Sequence, residues 1–251
     1  NVPDERIDKL SKLYETDKST YATIEFVDIA GLVKGASKGE GLGNKFLSHI
    51  RETDAIAHVV RCFNDENIVH VSGKIDPIND IETISLELIL ADIETVTKSI
   101  ARYEKIAKSG DKTAKSTLEL LNKILAHLEA SKPVRTFEFE EDEKELLKDT
   151  YLLTIKPIIY VANVSESQIP NMESDELVNK VKEYAKLENA KVVTLCAKLE
   201  EDLSELTKEE KQEMLEAIGL DNSGLDDLIK ATYDILGLAT YFTVGKDEDR
   251  K

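Results

Sequence analysis

The chain lacks tryptophan and has only two cysteines, two methionines and five prolines in 251 residues; aromatics make up 6%. Cys62 and Cys196 lie far apart. They supply neither a disulfide framework nor a cysteine metal site, so a reducing compartment is expected. No run of 18 apolar residues occurs, which excludes a membrane-spanning helix. No secretory leader pattern opens the sequence, so a cytoplasmic location away from membranes is expected. Positive charge is scarce as well. With 33 Lys+Arg against 50 Asp+Glu the net charge is −17. Such acidity argues against a protein-wide grip on nucleic acid, DNA included, and leaves room for a local basic patch. What remains, 41% hydrophobic and 33% charged residues, is the composition of an ordinary globular chain.

Glycine is sparse and unevenly spread. Five of the eleven fall within residues 31–43, which marks a loop. Before it, residues 4–14 carry Ile7, Leu10 and Leu13 at helical spacing, and residues 21–29 are β-rich and read as a strand. After it, a helix is expected over 42–52, and the apolar run 55–62 reads as a buried strand. Asp76-Pro77 opens a helix as cap and first-turn proline. A heptad seam follows: Leu86, Ile89, Ile93, Val96, Ile100, Tyr103 and Ala107. Ser109-Gly110-Asp111 interrupts it, and a second seam runs Ala114, Leu118, Leu121, Leu125, Leu128. Two seams joined by a tight turn predict an antiparallel coiled-coil hairpin over 76–132. Its flanks are charged, Glu87, Asp92, Glu94, Lys98, Arg102, Glu104 and Lys105 among them, which suits a docking arm.

The acidic stretch 138–149 suggests a solvated helix. Strands are expected over 157–163 and 191–195, with helices around 174–187, 204–218 and 223–236. Strands alternating with helices predict an α/β fold with a parallel sheet.

Four segments carry chemistry. Asp28-Ile29-Ala30-Gly31 places an acid and a glycine at the end of a predicted strand, where open α/β sheets bind ligands. Asp28 there would hold Mg²⁺ through water, and the Gly31 N–H would sense a terminal phosphate. D-x-x-G on its own also fits a turn. Next, residues 29–51 hold Lys34, Lys38, Lys45 and Arg51 against Glu40. Flexible backbone with local positive charge suits phosphate or RNA, and equally a surface loop. Neither G-x-x-x-x-G-K-S/T nor G-x-G-x-x-G can be placed in this loop. Third, Asn163-Val164-Ser165-Glu166 follows the strand 157–163, where GTPases carry N-K-x-D. In those enzymes Asp pairs with two guanine donors. The longer Glu166 spoils that fork, while Asn163 can still reach the N7 and 6-amino edge of adenine. Fourth, Cys196-Ala197-Lys198 sits where GTPases carry S-A-K. Of the four histidines, His58 and His127 read as structural, and His70 lies in a polar loop within reach of a phosphate.

These segments, in this order and with a helical hairpin between the second and third strands, resemble the YchF-type subfamily of Obg-like ATPases. The most specific run is Asp28 to Leu47, extended by Arg51-Glu52-Thr53-Asp54-Ala55 and by Asn163-x-x-Glu166. The resemblance implies a P-loop NTPase fold of the Obg type. It implies preference for ATP over GTP, slow Mg²⁺-dependent hydrolysis and association with the ribosome. Nucleotide contacts fall on Asp28, Gly31, Asn163, Val164, Glu166, Cys196, Ala197 and Lys198. The position after D-x-x-G is Leu32, which cannot orient a water, and His70 matches the substitute. Family members also carry a first strand with a P-loop, and a TGS domain thought to contact RNA. Neither is found here, so the chain is expected to be the middle of a longer protein: partial G domain over 1–75, hairpin over 76–132, remaining G domain over 133–236 and the approach to TGS over 237–251. Taken alone it is expected to fold poorly and to bind ATP weakly.

Overall fold

The computed structural model describes residues 1–29, 42–65, 75–245 and 248–250. Three parallel strands form the centre: β2 (Ile56–Arg61), β3 (Ile158–Asn163) and β4 (Lys191–Leu195), in the order β2-β3-β4. His58 lies opposite Tyr160, and Ala162 opposite Thr194. β3 is buried along its length because both neighbours and both faces are covered. On one face Val60, Ile158, Tyr160 and Ala162 pack against α5 (Glu176–Leu187), α6 (Ala197–Ser204), α7 (Lys208–Ile218) and Ile81. On the other, Ile159, Val161, Val193 and Leu195 pack against Leu228 of α8 (Gly224–Ile235). The start of α8 presses so closely on β4 that a Cβ at Gly224 would lie 2.3 Å from that of Leu195.

The remaining strands are short. β1 (Lys18–Thr20) runs parallel to β6 (Glu248–Arg250), which pairs antiparallel with β5 (Thr243–Val244). The polar sequences of β1 and β6 gave no strand signal, whereas β5 lies in the apolar, strand-like run Tyr241-Phe242-Thr243-Val244. α1 (Glu5–Tyr14) is capped by Asp4, whose carboxylate accepts the Arg6 N–H, and it buries Ile7.

The hairpin consists of α3 (Pro77–Ala107) and α4 (Lys112–Glu129). Asp76 caps α3 through the Asn79 N–H, Asp111 caps α4 through the Ala114 N–H, and Gly110 turns the chain with φ of +90°. The left-handed conformation there is one that only glycine adopts without strain. The seam is broader than a strict heptad. Ile89 and Val96 of α3 meet Leu120, Leu121, Ile124 and Leu128 of α4, with Val134, Leu147 and Leu152 closing the base.

Several expectations are corrected. Residues 21–29 form no strand, and Phe26 and Val27 are exposed. An apolar run becomes a strand only where a neighbour accepts its hydrogen bonds, and this one pairs with no strand among the described residues. β2 is an edge strand rather than a buried one. Val59, opposite Val161 in register, is 61% exposed because α8 covers the second face over β3 and β4 only. Leu86 faces solvent, while Glu87 and Asp92, expected on charged flanks, are buried. The acidic stretch forms a 3-10 helix over Glu143–Thr150. The helix expected over 204–218 starts only at Lys208, as α7, because Thr207 caps it in a box with Glu210, and α6, over Ala197–Ser204, had not been expected.

Candidate functional site

Two strand ends converge at the carboxyl edge of the sheet. β3 ends at Asn163 and β4 at Leu195, and the Val164 N–H donates to the Leu195 carbonyl at 2.9 Å. This bond brings together segments that are remote in sequence. The Asn163 side-chain oxygen accepts the Ala197 N–H at 2.9 Å. One residue on, Lys198 Nζ lies 3.1 Å from the Glu166 carboxylate. That carboxylate holds the Lys198 ammonium pKa above its ordinary value. Asn163 is half-buried, and Glu166, Ala197 and Lys198 are exposed.

The remaining predicted residues divide. Val164 and Cys196 are 2% and 3% exposed, and both side chains pack in the core. What they offer a ligand is backbone. Asp28 is exposed, and its neighbour Ile29 packs against Leu47 and Ile50 of α2 (Leu42–Glu52). No hydrogen bond or ion pair joins Asp28 to the Asn163 cluster among the described residues. Gly31, most of the glycine-rich loop and His70 lie outside the described residues. So do Lys34 and Lys38.

Sequence reasoning missed the residue that braces this edge. Gln168 accepts the Ser165 N–H at 2.8 Å, and its amide donates to the Cys62 carbonyl at 3.0 Å and to Asp175 at 2.8 Å. Asp175 in turn caps α5. The end of β2, the turn after β3 and the start of α5 thus share one amide. Ser165-x-x-Gln168 is a capping-box pattern, so a signal was available. The Cys62 thiol is raised to about 12 by burial and by the nearby Asp175 charge, which makes it a core residue and not a nucleophile.

A nucleotide base at this edge would meet the Asn163 amide. Its oxygen is already taken by Ala197, which leaves the nitrogen, a donor, for a purine N7; adenine and guanine both carry that acceptor. Discrimination falls to Glu166, and its carboxylate is engaged by Lys198. For Mg²⁺, a single exposed carboxylate at Asp28 matches an ion that keeps most of its waters and takes its other ligands from phosphates. No cluster of three or more metal-ligating side chains exists among the described residues. A cleft of about 180 Å³ beside α6, lined by Met172, Leu199, Asn222 and Asp227, is smaller than the pockets that enclose a ligand, on the order of 300–1,000 Å³.

A protein-family profile described as "50S ribosome-binding GTPase" matches residues 8–123. The ribosome-binding ATPase YchF of Bacillus subtilis is 58% identical over 249 residues, 99% of this chain and 68% of that protein. The chain belongs to the YchF family. The ribosome-binding ATPase YchF of Escherichia coli O157:H7 is 47% identical over the same share of each chain. Among solved structures, the Schizosaccharomyces pombe YchF GTPase superposes with a TM-score of 0.86 at 36% identity, covering 99% of this chain and 68% of that one. The fold is therefore that of a P-loop GTPase, with a parallel sheet flanked by helices. The family is one of nucleotide hydrolases. No helix among the described residues is long and apolar enough to cross a membrane.

Proposed function

We propose that this chain is the base-recognition and switch portion of a cytoplasmic, ribosome-associated ATPase that hydrolyses ATP slowly with Mg²⁺. The observation that supports this most is the pairing at the sheet edge: Asn163 locked by the Ala197 N–H and Glu166 held by Lys198. A guanine needs a free carboxylate opposite its N1–H and 2-amino group. Here one oxygen of that carboxylate, Oε2, already pairs with Lys198, so a guanine fork would have to share or displace that contact, whereas adenine needs only the Asn163 donor and backbone. The names of the bacterial relatives agree with ATP.

In this reading Asp28 holds Mg²⁺ through water, Gly31 contacts the terminal phosphate and His70 takes the place of a water-positioning residue. Asn163, Val164, Glu166, Cys196, Ala197 and Lys198 form the base end. The partial G domain spans 1–75 and 133–236, the docking arm spans 76–132, and 237–251 leads toward an RNA-contacting TGS region. The metal supplies charge neutralisation on the phosphates. The chain's own residues orient the base and place the switch.

A second reading, GTP as ligand, is favoured by the printed names of the family profile and of the fission-yeast relative. Competition between ATP and GTP on the complete natural protein separates the two. We expect ATP to displace labelled ATP at least about tenfold more effectively than GTP does, a gap of about 1.4 kcal/mol. Asn163→Ala should weaken ATP binding by a similar factor. Equal competition by GTP would sink the ATP reading. Retained ATP affinity in Asn163→Ala would sink the base-end assignment.

A further inference from the structure

Glu166 can discriminate between purines only if the turn that carries it stays in place. Its side chain is long and exposed, so its reach is set by the backbone beneath it. Before Glu166, the Val164 N–H bonds the Leu195 carbonyl at 2.9 Å, and the Val164 side chain is sunk in the core. After it, the restraint comes from Gln168. Gln168 Oε1 accepts the Ser165 N–H and the Ser165 hydroxyl, both at 2.8 Å. Its Nε2 donates to the Cys62 carbonyl at 3.0 Å and to Asp175 Oδ2 at 2.8 Å. Two acceptor positions and two donor positions are the whole capacity of a carboxamide. All four are used, so the amide has a single orientation, and a shift of the turn breaks bonds.

The identity of the partners gives these bonds their reach. Cys62 follows β2, and its own N–H donates to the Asn163 carbonyl at 2.8 Å. Asp175 uses its other oxygen, Oδ1, to cap α5 through the Leu177 and Val178 N–H groups. Gln168 therefore pins the turn both to the end of β2 and to the start of α5. A local cap alone does not require glutamine. Ser-x-x-Glu closes the same capping box, but a carboxylate has no N–H for the Cys62 carbonyl and would face the Asp175 carboxylate. An amide caps and bridges at once. We propose that Gln168 is a specificity-determining positioning residue: it stops the Asn163–Glu166 turn from recoiling by the methylene by which Glu166 exceeds the Asp of a guanine site. A fixed turn keeps the carboxylate on Lys198 and out of register with the guanine N1–H and 2-amino donors. A loose turn lets it reach them. Rigid support of this kind converts a small geometric mismatch into selectivity. The proposal rests on the ATP reading above and adds the residue that enforces it.

The test uses the complete natural protein and measures ATP and GTP affinity, steady-state kinetics with each nucleotide, and thermal melting. Gln168→Leu removes all the side-chain bonds. Gln168→Glu keeps the Ser165 cap and loses the bridge. In both variants GTP should bind more tightly, and the preference for ATP should fall by about fivefold. The change should appear in KM, with kcat at saturating ATP kept within about twofold, because Gln168 acts on the base and not on the phosphates. Adding Glu166→Ala to Gln168→Glu should abolish the gained GTP affinity. Should repulsion from Asp175 unfold Gln168→Glu, adding Asp175→Asn relieves it and leaves the Cys62 bond broken, with the same loss of preference expected. Loss of ATP and GTP affinity by one common factor would make Gln168 a structural brace alone and overturn the proposal. So would a preference lost in Gln168→Leu and kept in Gln168→Glu, since the local cap would then suffice. A GTP gain that survives Glu166→Ala would overturn it as well. Equal binding of ATP and GTP by the unaltered protein would instead count against the ATP reading, and the proposal would fall with it.

Discussion

The two ends of the hairpin are built on opposite principles. At its base, polar groups are buried and every link is specific. Asp92 of α3 is fully buried and accepts the Leu153 N–H and Thr154 N–H at 2.8 Å each and the Thr154 hydroxyl at 2.7 Å. The same hydroxyl accepts the Val134 N–H. Next along the chain, Arg135 donates to the Lys156 carbonyl and pairs with Glu188 at 2.9 Å, and Tyr160 donates to that same Glu188 oxygen. Nearby, Arg51 of α2 reaches Thr95, and Lys156 donates to the Arg51 and Thr53 carbonyls that end α2. At its tip the hairpin has an apolar seam on one side and solvated cations on the other. Buried polar pairs fix one geometry because a misplaced group loses its partner in a low dielectric. A solvated face fixes nothing and stays available to another molecule. The base orients the arm on the sheet, and the tip stays solvated.

Breaking the base should cost far more than altering the tip. The largest effect is expected for Glu188→Ala. It strips the partner from a buried Arg135 whose Nη2 already lacks a hydrogen-bond partner among the described residues. Stranding one member of such a pair costs about 3–5 kcal/mol, read as a lower denaturation midpoint. Adding Arg135→Leu to that variant should recover part of the loss, and no recovery would show that the pair is not the cause. Asp92→Ala leaves three buried donors unsatisfied and should cost about 3 kcal/mol at unchanged m-value. Burial raises the Asp92 pKa against the hydrogen bonds that favour its ionised form, so Asp92→Asn should be milder than Ala.

A pH titration sharpens the contrast. His58 rests against Tyr160, and burial together with the Arg135 charge lowers its pKa to about 4. The unfolded chain binds a proton near pH 6.5 that the folded chain refuses. Stability should therefore fall as pH drops from about 6.5 toward 4, by up to about 3 kcal/mol. His58→Phe should flatten that part of the profile. A slope that survives the substitution would assign it to other groups. The smallest effect is expected at the tip: Gly110→Ala forces a left-handed alanine and should cost about 1 kcal/mol. Hydrogen exchange should report it in the tip turns and leave the base protected.

Much of the fold was legible because periodicity and caps are local. Asp76-Pro77, Ser109-Gly110-Asp111 and the seams around them place α3 and α4 nearly to the residue. The meeting of two strand ends was legible too, since Asn163 closes one apolar run and Ala197 follows another, each of which reads as a strand. The strand expected over 21–29 was not, because β-rich composition says nothing about whether a partner is present. The start of α7 is written in its capping box, Thr207-x-x-Glu210.

The sequence by itself determined the two hairpin helices, the three strands of the central sheet and the family, since each depends on residues a few positions apart or on motifs read in sequence. Only the tertiary structure decided which charges are spent. Asp92 and Lys98 look alike as polar positions on one helix. One is buried because residues 153 and 154 return to it, and the other is not. Likewise five lysines over 180–198 are ion-paired, two of them, Lys191 and Lys198, with partners far along the chain, while five cations over 102–115 are not paired among the described residues. The physical reason is that a charge is paired or left free by what the chain brings within a few ångströms of it, and one-dimensional spacing does not contain that distance.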